Sequence, residues 1–318
     1  MRYKNPHAQN LRRSLVDVIL WKTGFYESSK RSKMPEGFEY PREKRVVRGD
    51  RPQVTWIGHC TFLTRVFGVN VLTDPVFGKR CSPLPFFGPV RRHRPGMKLG
   101  DLPKIDMVLI SHNHYDHLEK KTVKELNRRY PKIMWCVPRG LKKWFACQGV
   151  KNVVELGWWE KAEIKVKGVK VSLNAVPSQH FSGRHPMDYN KSLWVGWVAR
   201  FTKGRGKKQL YFTGDTGYNR HDFKRIGKEF TEMDLSLIPI GTYEPHDFMQ
   251  PVHIDPKCAV KIHKEVHSKL SIGMHWKTFN LSDEPLDRPP YDLYREMKRA
   301  HLNPKSFLPI EPGETVNW

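Results

Sequence analysis

Met107-Val108-Leu109-Ile110-Ser111-His112-Asn113-His114-Tyr115-Asp116-His117 is the stretch on which the reading of this chain turns. The apolar run up to Ile110 reads as a buried strand, and the polar run after it as a turn at the strand's end. Three imidazoles and a carboxylate at this spacing are what a binuclear metal site needs. A strand end gives rigid support, and the loop lets alternate side chains turn toward two different ions. Neutral imidazole nitrogen and carboxylate oxygen suit zinc, with one coordination position left open for water. Iron or manganese accept the same donors. The plain alternative is a solvated loop with chance histidines, and a run this dense rarely arises that way.

Working outward, strand-like runs dominate on both sides. Residues 53–57, 61–67 and 69–73 are β-rich and separated by Gly58-His59 and Gly68, which predicts a meander. Residues 122–129 read as a helix, 132–137 as a strand, and a further helix passes through Trp144 and Phe145. Residues 164–176 form two strand-like runs around Gly168. Residues 193–201 and 209–213 read as strands joined by a basic, Gly-rich turn; 235–240 and 271–275 as strands; and 256–266 as a helix. Strand runs in each half with helices interspersed predict an α/β chain of two sheets packed face to face, helices outside. The Pro/Gly-rich stretch 78–100, carrying Phe86 and Phe87, is a long loop of the kind that usually serves function.

The 318 residues show no composition break, repeat or low-complexity tract. We read residues 1–50 as an N-terminal extension, an amphipathic helix and a strap, and residues 51–318 as one domain. Within the extension, residues 11–26 carry Leu15, Val18, Ile19 and Phe25 between basic residues, with Trp21, Phe25 and Tyr26 as candidate membrane anchors. Docking on the chain's own domain is the commoner fate of such a helix, and the one favoured here. Its apolar stretch is short, contains Asp17 and lacks a small-residue cleavage site, so it does not read as a signal peptide. Mean hydropathy is -0.63 and no run of 18 apolar residues exists, which argues against a membrane-spanning chain. Five cysteines, an odd number without a C-x-x-C pair, fit free thiols in a reducing compartment. The expected location is therefore cytoplasmic, peripheral on membranes. The net charge of +24 attracts polyanions: anionic membrane surfaces, nucleic acid or phosphorylated small molecules. A single cluster such as Lys203-Gly204-Arg205-Gly206-Lys207-Lys208 is more simply a tight hairpin loop.

A two-metal site needs more ligands than one loop supplies, and three later positions are well placed. Val176-Pro177-Ser178-Gln179-His180 puts a histidine just past a strand. Phe212-Thr213-Gly214-Asp215-Thr216-Gly217 puts a carboxylate between glycines, whose small size lets backbone and metal approach closely. Ile272-Gly273-Met274-His275-Trp276 ends another strand in a histidine. Each is weak alone; their order after the primary motif gives them weight.

This constellation resembles the metallo-β-lactamase superfamily of hydrolases, and within it the N-acyl-phosphatidylethanolamine-hydrolysing phospholipase D family. The resemblance runs from about Gln53 to the C-terminus. It is carried by Trp56-Ile57-Gly58-His59-Cys60-Thr61, Leu72-Thr73-Asp74-Pro75-Val76-Phe77, the His112 to His117 motif, the His180 and Asp215 segments and Met274-His275-Trp276. Tyr243-Glu244-Pro245 and His253-Ile254-Asp255-Pro256 point to the phospholipase-like branch. The resemblance implies an αββα sandwich with the site at one edge, between the sheets. It implies His112, His114 and His180 on one zinc, Asp116, His117 and His275 on the other, and Asp215 bridging both. It places His253 near the metals, to bind substrate or assist proton transfer, and Asp74 and His59 behind the ligands as orienters. The catalytic set is thus Asp116, His253 and Asp215, with no organic cofactor. Where relatives often carry Gly after His-Trp, this chain has Lys277.

Two zinc ions so held would share a bridging water whose pKa falls toward roughly 7, giving hydroxide at neutral pH. The resemblance implies attack on phosphorus, with Asp116 orienting the hydroxide, to release phosphatidate and an N-acylethanolamine. The partners implied are a phospholipid or other phosphodiester substrate and an anionic membrane surface; nucleic acid and a homodimer are compatible with the same signals. The rival readings are a metal-dependent nuclease or nucleotide phosphodiesterase, favoured by the net charge, a lactonase-like hydrolase, and a catalytically silent basic binder.

Overall fold

The structure is a computed structural model and describes residues 2–8, 11, 15–28, 33–40, 51–84, 86–185 and 187–318. Much of the expected strap, including residues 41–50, lies outside the described residues. The first sheet is built from β1 (Gln53–Gly58), β2 (Thr61–Val66), β3 (Val69–Thr73), β4 (Met107–Leu109), β5 (Met134–Pro138), β6 (Val153–Leu156) and β14 (Thr315–Asn317), in the order β14-β1-β2-β3-β4-β5-β6. The second holds β7 (Lys161–Val166), β8 (Val169–Pro177), β9 (Val195–Lys203), β10 (Gly206–Phe212), β11 (Leu235–Pro239), β12 (Ser271–Met274) and β13 (Phe307–Leu308), in the order β13-β12-β11-β10-β9-β8-β7.

Each sheet follows one plan. An antiparallel meander (β14-β1-β2-β3; β7-β8-β9-β10) gives way to parallel strands (β4-β5-β6; β11-β12-β13). Two-residue turns join β1 to β2, β2 to β3, β7 to β8 and β9 to β10. Lys203 pairs with Gly206 across Gly204-Arg205, and Gly204 takes φ +56, which a side chain tolerates poorly. The basic cluster of residues 203–208 is thus a hairpin. The parallel connections run through α2 (Lys120–Arg129), α3 (Lys142–Ala146), α4 (Asp222–Phe230), α6 (Pro256–Glu265) and α7 (Arg288–Arg299). The short helices α1 (Leu15–Lys22) and α5 (His246–Met249) complete the set among the described residues.

Alternation in the strands sorts side chains between two cores. Trp56, Val71, Met107 and Leu109 of the first sheet meet Leu173, Trp197, Phe201 and Tyr211 of the second in the inter-sheet core. Ile57, Leu72, Val108 and Ile110 point the other way, onto Val123 and Leu126 of α2 and Phe145 of α3. The first sheet is therefore buried on both faces, as parallel strands require. Each large side chain buried this way stabilises the fold by about 1.5–3 kcal/mol. On the far side, α6 packs on β11 and against α4 and α7. This is the expected αββα sandwich. No helix among the described residues is long and apolar enough to cross a membrane.

Topology also decides where polar chemistry can sit. Strands β1, β3, β4, β8, β10, β11 and β12 end toward one rim of the sandwich, each followed within a few residues by a titratable or hydroxyl side chain. Trp197 Nε1 donates to Ile110 O at 2.8 Å and Val195 N to Ser111 O at 2.9 Å, so the second sheet holds the first at the base of the histidine loop.

Candidate metal centre

The strand ends bring together all seven expected ligands. His112, His114, Asp116 and His117 follow β4, His180 follows β8, Asp215 follows β10 and His275 follows β12. Gly214 explains how Asp215 gets so near. Its φ is +61, and a Cβ there would lie 2.6 Å from Ser111 Cβ and 3.0 Å from Val195 O. His59, Asp74, Thr242 and His275 also adopt positive φ, a cost that packing elsewhere must offset and that clusters at functional sites.

Two donor groups result. In one, His112 Nε2 lies 2.8 Å from His114 Nδ1, which lies 3.2 Å from His180 Nε2. In the other, Asp215 Oδ2 is 3.1 Å from His117 Nε2 and 3.0 Å from His275 Nε2, while Asp116 Oδ2 is 3.3 and 3.5 Å from the same nitrogens. Asp215 Oδ2 also reaches to 3.9 Å from His180 Nε2, between the groups. Tetrahedral ligands about 2.0–2.1 Å from one ion stand roughly 3.3 Å apart, so this spacing suits a cation between them. His117 Nε2 and His275 Nε2 face the Asp116 and Asp215 carboxylates, and Asp215 Oδ1 is buried without a hydrogen-bond partner, a costly state that a metal ion would relieve. The residues present therefore fit the ions expected from the sequence.

The shell behind them fixes which ring nitrogen faces inward. Asp74, fully buried, accepts from His117 Nδ1 at 2.7 Å, Ser111 N at 2.7 Å and Ser111 Oγ at 2.5 Å. Having given its proton to Asp74, the Ser111 hydroxyl accepts from His112 Nδ1 at 2.9 Å. His180 Nδ1 donates to Val252 O at 2.9 Å, and His275 Nδ1 rests on Thr242 Oγ1 at 3.0 Å. In each ring Nε2 is left facing the centre, as metal ligation needs. His59 Nε2 meets Asp116 Oδ2 at 2.8 Å. Buried Glu284 accepts from Thr242 N at 2.5 Å and Glu244 N at 3.0 Å, fixing the turn beneath His275. Arg184, stacked over Tyr115, donates to the carbonyls of Asn113 and Leu118 and clamps both ends of the histidine loop.

One support comes from far away in sequence. Asn5 accepts from His180 N at 3.2 Å and donates to His180 O at 2.8 Å, gripping both backbone groups of that residue. Sequence reasoning missed Asn5, Ser111, Thr242, Glu284 and Arg184. Only Ser111, adjoining the motif, carried any local signal.

Electrostatics divides the two groups. Burial pulls His112 and His180 well below the ordinary imidazole value and brings His114 down to about 4, so all three are neutral at pH 7. Burial acts on His117 and His275 too, but the Asp215 and Asp116 carboxylates outweigh it. They hold His117 well above its ordinary value and His275 up to about 9. His253 lies at the rim, 13% exposed, with Nδ1 4.0 Å from Asp215 Oδ2; burial lowers it to about 4. Phe181 stands edge-on to His114, with Tyr189 beyond it, and gives the mouth an apolar wall. Two clefts, of about 460 and 800 Å3, are lined by none of the seven residues.

The α1 segment meets the domain through Trp21 and, just past the helix, Tyr26, while the expected apolar positions Val18, Ile19 and Phe25 are exposed. Trp21 packs on Phe248 and donates to Asp283 Oδ2 at 2.8 Å, and Tyr26 also meets Phe248. Val16 is exposed as well.

Comparison with known proteins agrees with this geometry. Residues 69–276 match the β-lactamase superfamily domain. An N-acyl-phosphatidylethanolamine-hydrolysing phospholipase D 1 of Caenorhabditis elegans is 41% identical over 82% of this chain and 74% of its own. The mitochondrial enzyme of that name from Saccharomyces cerevisiae is 36% identical, over 82% of this chain and 55% of its own. Among solved structures, a metallo hydrolase of the archaeon Ignicoccus hospitalis superposes with a TM-score of 0.60 at 22% identity, covering 84% of this chain and 98% of that one.

Proposed function

This chain belongs to the β-lactamase superfamily and, within it, to the family of N-acyl-phosphatidylethanolamine-hydrolysing phospholipases D; from that membership we propose that it is a two-zinc phosphodiesterase cleaving the bond between phosphorus and the N-acylethanolamine oxygen. It is a metal-dependent hydrolase by family. The observation that supports the finer reading is the convergence of two donor groups, with Asp215 of one reaching to 3.9 Å from His180 of the other. We assign His112, His114 and His180 to one ion, Asp116, His117 and His275 to the other, and Asp215 to both.

When bound, the ions supply a hydroxide nucleophile at neutral pH and neutralise charge developing on the phosphoryl oxygens. The protein's own residues do the rest. Asp116, 15% exposed and steadied by His59, is the carboxylate nearest the mouth and orients the nucleophile. His253, neutral at pH 7, faces the mouth beside Asp215 and binds the phosphodiester or the departing alkoxide oxygen. The Phe181 and Tyr189 wall takes acyl or glyceryl carbon and excludes water.

Substrate presentation at a bilayer fits the surface. Phe86 and Phe87 are 76% and 71% exposed, beside Leu84 and among Lys79, Arg80, Arg92 and Arg94. Basic residues near an anionic surface contribute about 1 kcal/mol each, and two inserted aromatics add apolar burial. The net charge of +24 also favours a nucleic-acid phosphodiester as a second reading. Purified zinc-loaded protein should be offered N-acyl-phosphatidylethanolamine vesicles, a generic phosphodiester and RNA. We expect phosphatidate and N-acylethanolamine from the vesicles, and loss of both with Asp215→Asn. Untouched lipid together with Asp215-dependent cleavage of RNA would overturn the lipid reading in favour of the nuclease.

A further inference from the structure

Of the five cysteines, Cys60 is the one grouped with histidines of the donor groups described above. It sits with His59 in the two-residue turn between β1 and β2, where Gly58 pairs with Thr61. That turn is pinned on every side. Thr73 Oγ1 donates to Cys60 O at 2.6 Å, Trp56 Nε1 to His59 O at 2.9 Å, and His59 N to Thr278 Oγ1 at 2.7 Å. The Cys60 thiol is fully buried, and its sulfur lies with one ring nitrogen each of His59, His117 and His275 in a set whose members are all within 4.8 Å of one another. In those three rings, His59 Nδ1 is buried without a hydrogen-bond partner, and His117 Nε2 and His275 Nε2 face the carboxylates of Asp116 and Asp215. A buried cysteine is ordinarily a small hydrophobe among carbon neighbours. Cys60 belongs to the inter-sheet core with Trp56 and Phe62, and it also completes three nitrogens and a sulfur, a donor set for a soft or borderline divalent metal.

His117 and His275 belong also to the group completed by Asp116 and Asp215, so the two sets overlap through the same imidazoles. We propose that Cys60 gives the second metal position an inner, sulfur-containing seat, in which the ion held by His117 and His275 exchanges carboxylate oxygen for the Cys60 sulfur. The proposal deepens the two-metal reading and rests on it. On ligation the thiol proton passes to solvent and the sulfur binds as thiolate. A thiolate ligand biases the position toward zinc, cadmium or cobalt and against manganese or magnesium, which prefer oxygen. Sequence spacing gave no hint of this, because Cys60 is 52 residues before His112 and forms no motif with it.

Cobalt(II) loading of the full chain tests it without reference to activity. Visible d–d bands report occupancy, and a near-ultraviolet sulfur-to-cobalt charge-transfer band reports thiolate ligation. We expect that band in the native protein and its loss in Cys60→Ser and Cys60→Ala, with the visible bands retained. The same variants should bind zinc about 10- to 100-fold more weakly at one of the two positions, while manganese affinity stays unchanged. Visible bands with no near-ultraviolet band, or a band that survives both substitutions, would overturn the Cys60 proposal and leave the two-metal reading standing. Absence of the visible bands from correctly folded native protein would overturn both.

Discussion

Replacing Asp74 by Asn tests how the metal ligands are held while leaving every proposed ligand in place. The carboxylate accepts three hydrogen bonds, from Ser111 N, Ser111 Oγ and His117 Nδ1. A carboxamide keeps one acceptor oxygen, which stays with the Ser111 amide. Its NH2 group then faces Ser111 Oγ and His117 Nδ1 and donates to both. His117 must move its proton to Nε2, the nitrogen that faces the metal position. Ligation would require breaking the new arrangement, at the worth of a hydrogen bond to a charged group, about 1.5–3 kcal/mol. That corresponds to roughly 10- to 150-fold in affinity at 1.4 kcal/mol per factor of ten, in line with the 10- to 100-fold typical of groups behind metal ligands. Because the amide hydrogens find acceptors, the metal-free fold should unfold within a few degrees of the native protein. The assay is metal stoichiometry and competition against a graded chelator. Both ions should weaken, the one at His117 directly and the one at His112 through Ser111, whose hydroxyl loses its acceptor on Asp74 and turns its proton toward His112 Nδ1. Retention of both ions with affinities within threefold of native would refute this account of Asp74.

Further outcomes follow from the same geometry. Asn5→Ala removes both hydrogen bonds to the His180 backbone and should weaken the ion at His112, His114 and His180 about tenfold; Asn5→Asp, which keeps only the acceptor, should fall between, as read by chelator competition. Metal binding should be pH-dependent at one position only. Protons and metal compete for the same nitrogens, and His275, held up to about 9, is protonated at pH 7, so affinity there should rise with pH up to about 9, at most tenfold per unit for each proton released. The His112, His114 and His180 position, already deprotonated, should be flat across the neutral range; calorimetry in buffers of different ionisation enthalpy counts the protons, and equal release at both positions would contradict the electrostatics. Gly214→Ala forces a Cβ to 2.6 Å from Ser111 at a left-handed φ and should cost about 1–3 kcal/mol, seen as a lowered Tm. Phe86→Ser with Phe87→Ser should weaken sedimentation with anionic vesicles while leaving hydrolysis of a small soluble phosphodiester unchanged.

The parts of this molecule legible in the sequence are those encoded locally. The strand before His112 announced itself by its apolar run, and the Gly-Asp-Thr-Gly segment by residues that only a close approach requires. The architecture followed from strand runs recurring in each half. What escaped depends on distant pairings. Asn5 is 175 positions from His180 and carries no pattern of its own. Glu284 and Thr242 act through backbone amides, which any residue type could supply. The α7 helix went unrecognised, with Pro289 and Pro290 at its start. Both lie in its first turn, where the missing N–H groups have no intrahelical partner to lose. The short strands β6, β13 and β14 are edge or near-edge pieces of two to four residues, too short for alternation to show. Cys60 stayed hidden because two turns, far apart in sequence, meet only in the folded rim.

The most direct test is the fate of oxygen in heavy-oxygen water. Zinc-loaded protein turning over N-acyl-phosphatidylethanolamine vesicles should place the label in phosphatidate and none in N-acylethanolamine, because attack occurs at phosphorus. Label in the N-acylethanolamine, in a released fatty acid, or in no lipid product at all would contradict a phosphodiesterase built on His112, His114, Asp116, His117, His180, Asp215 and His275.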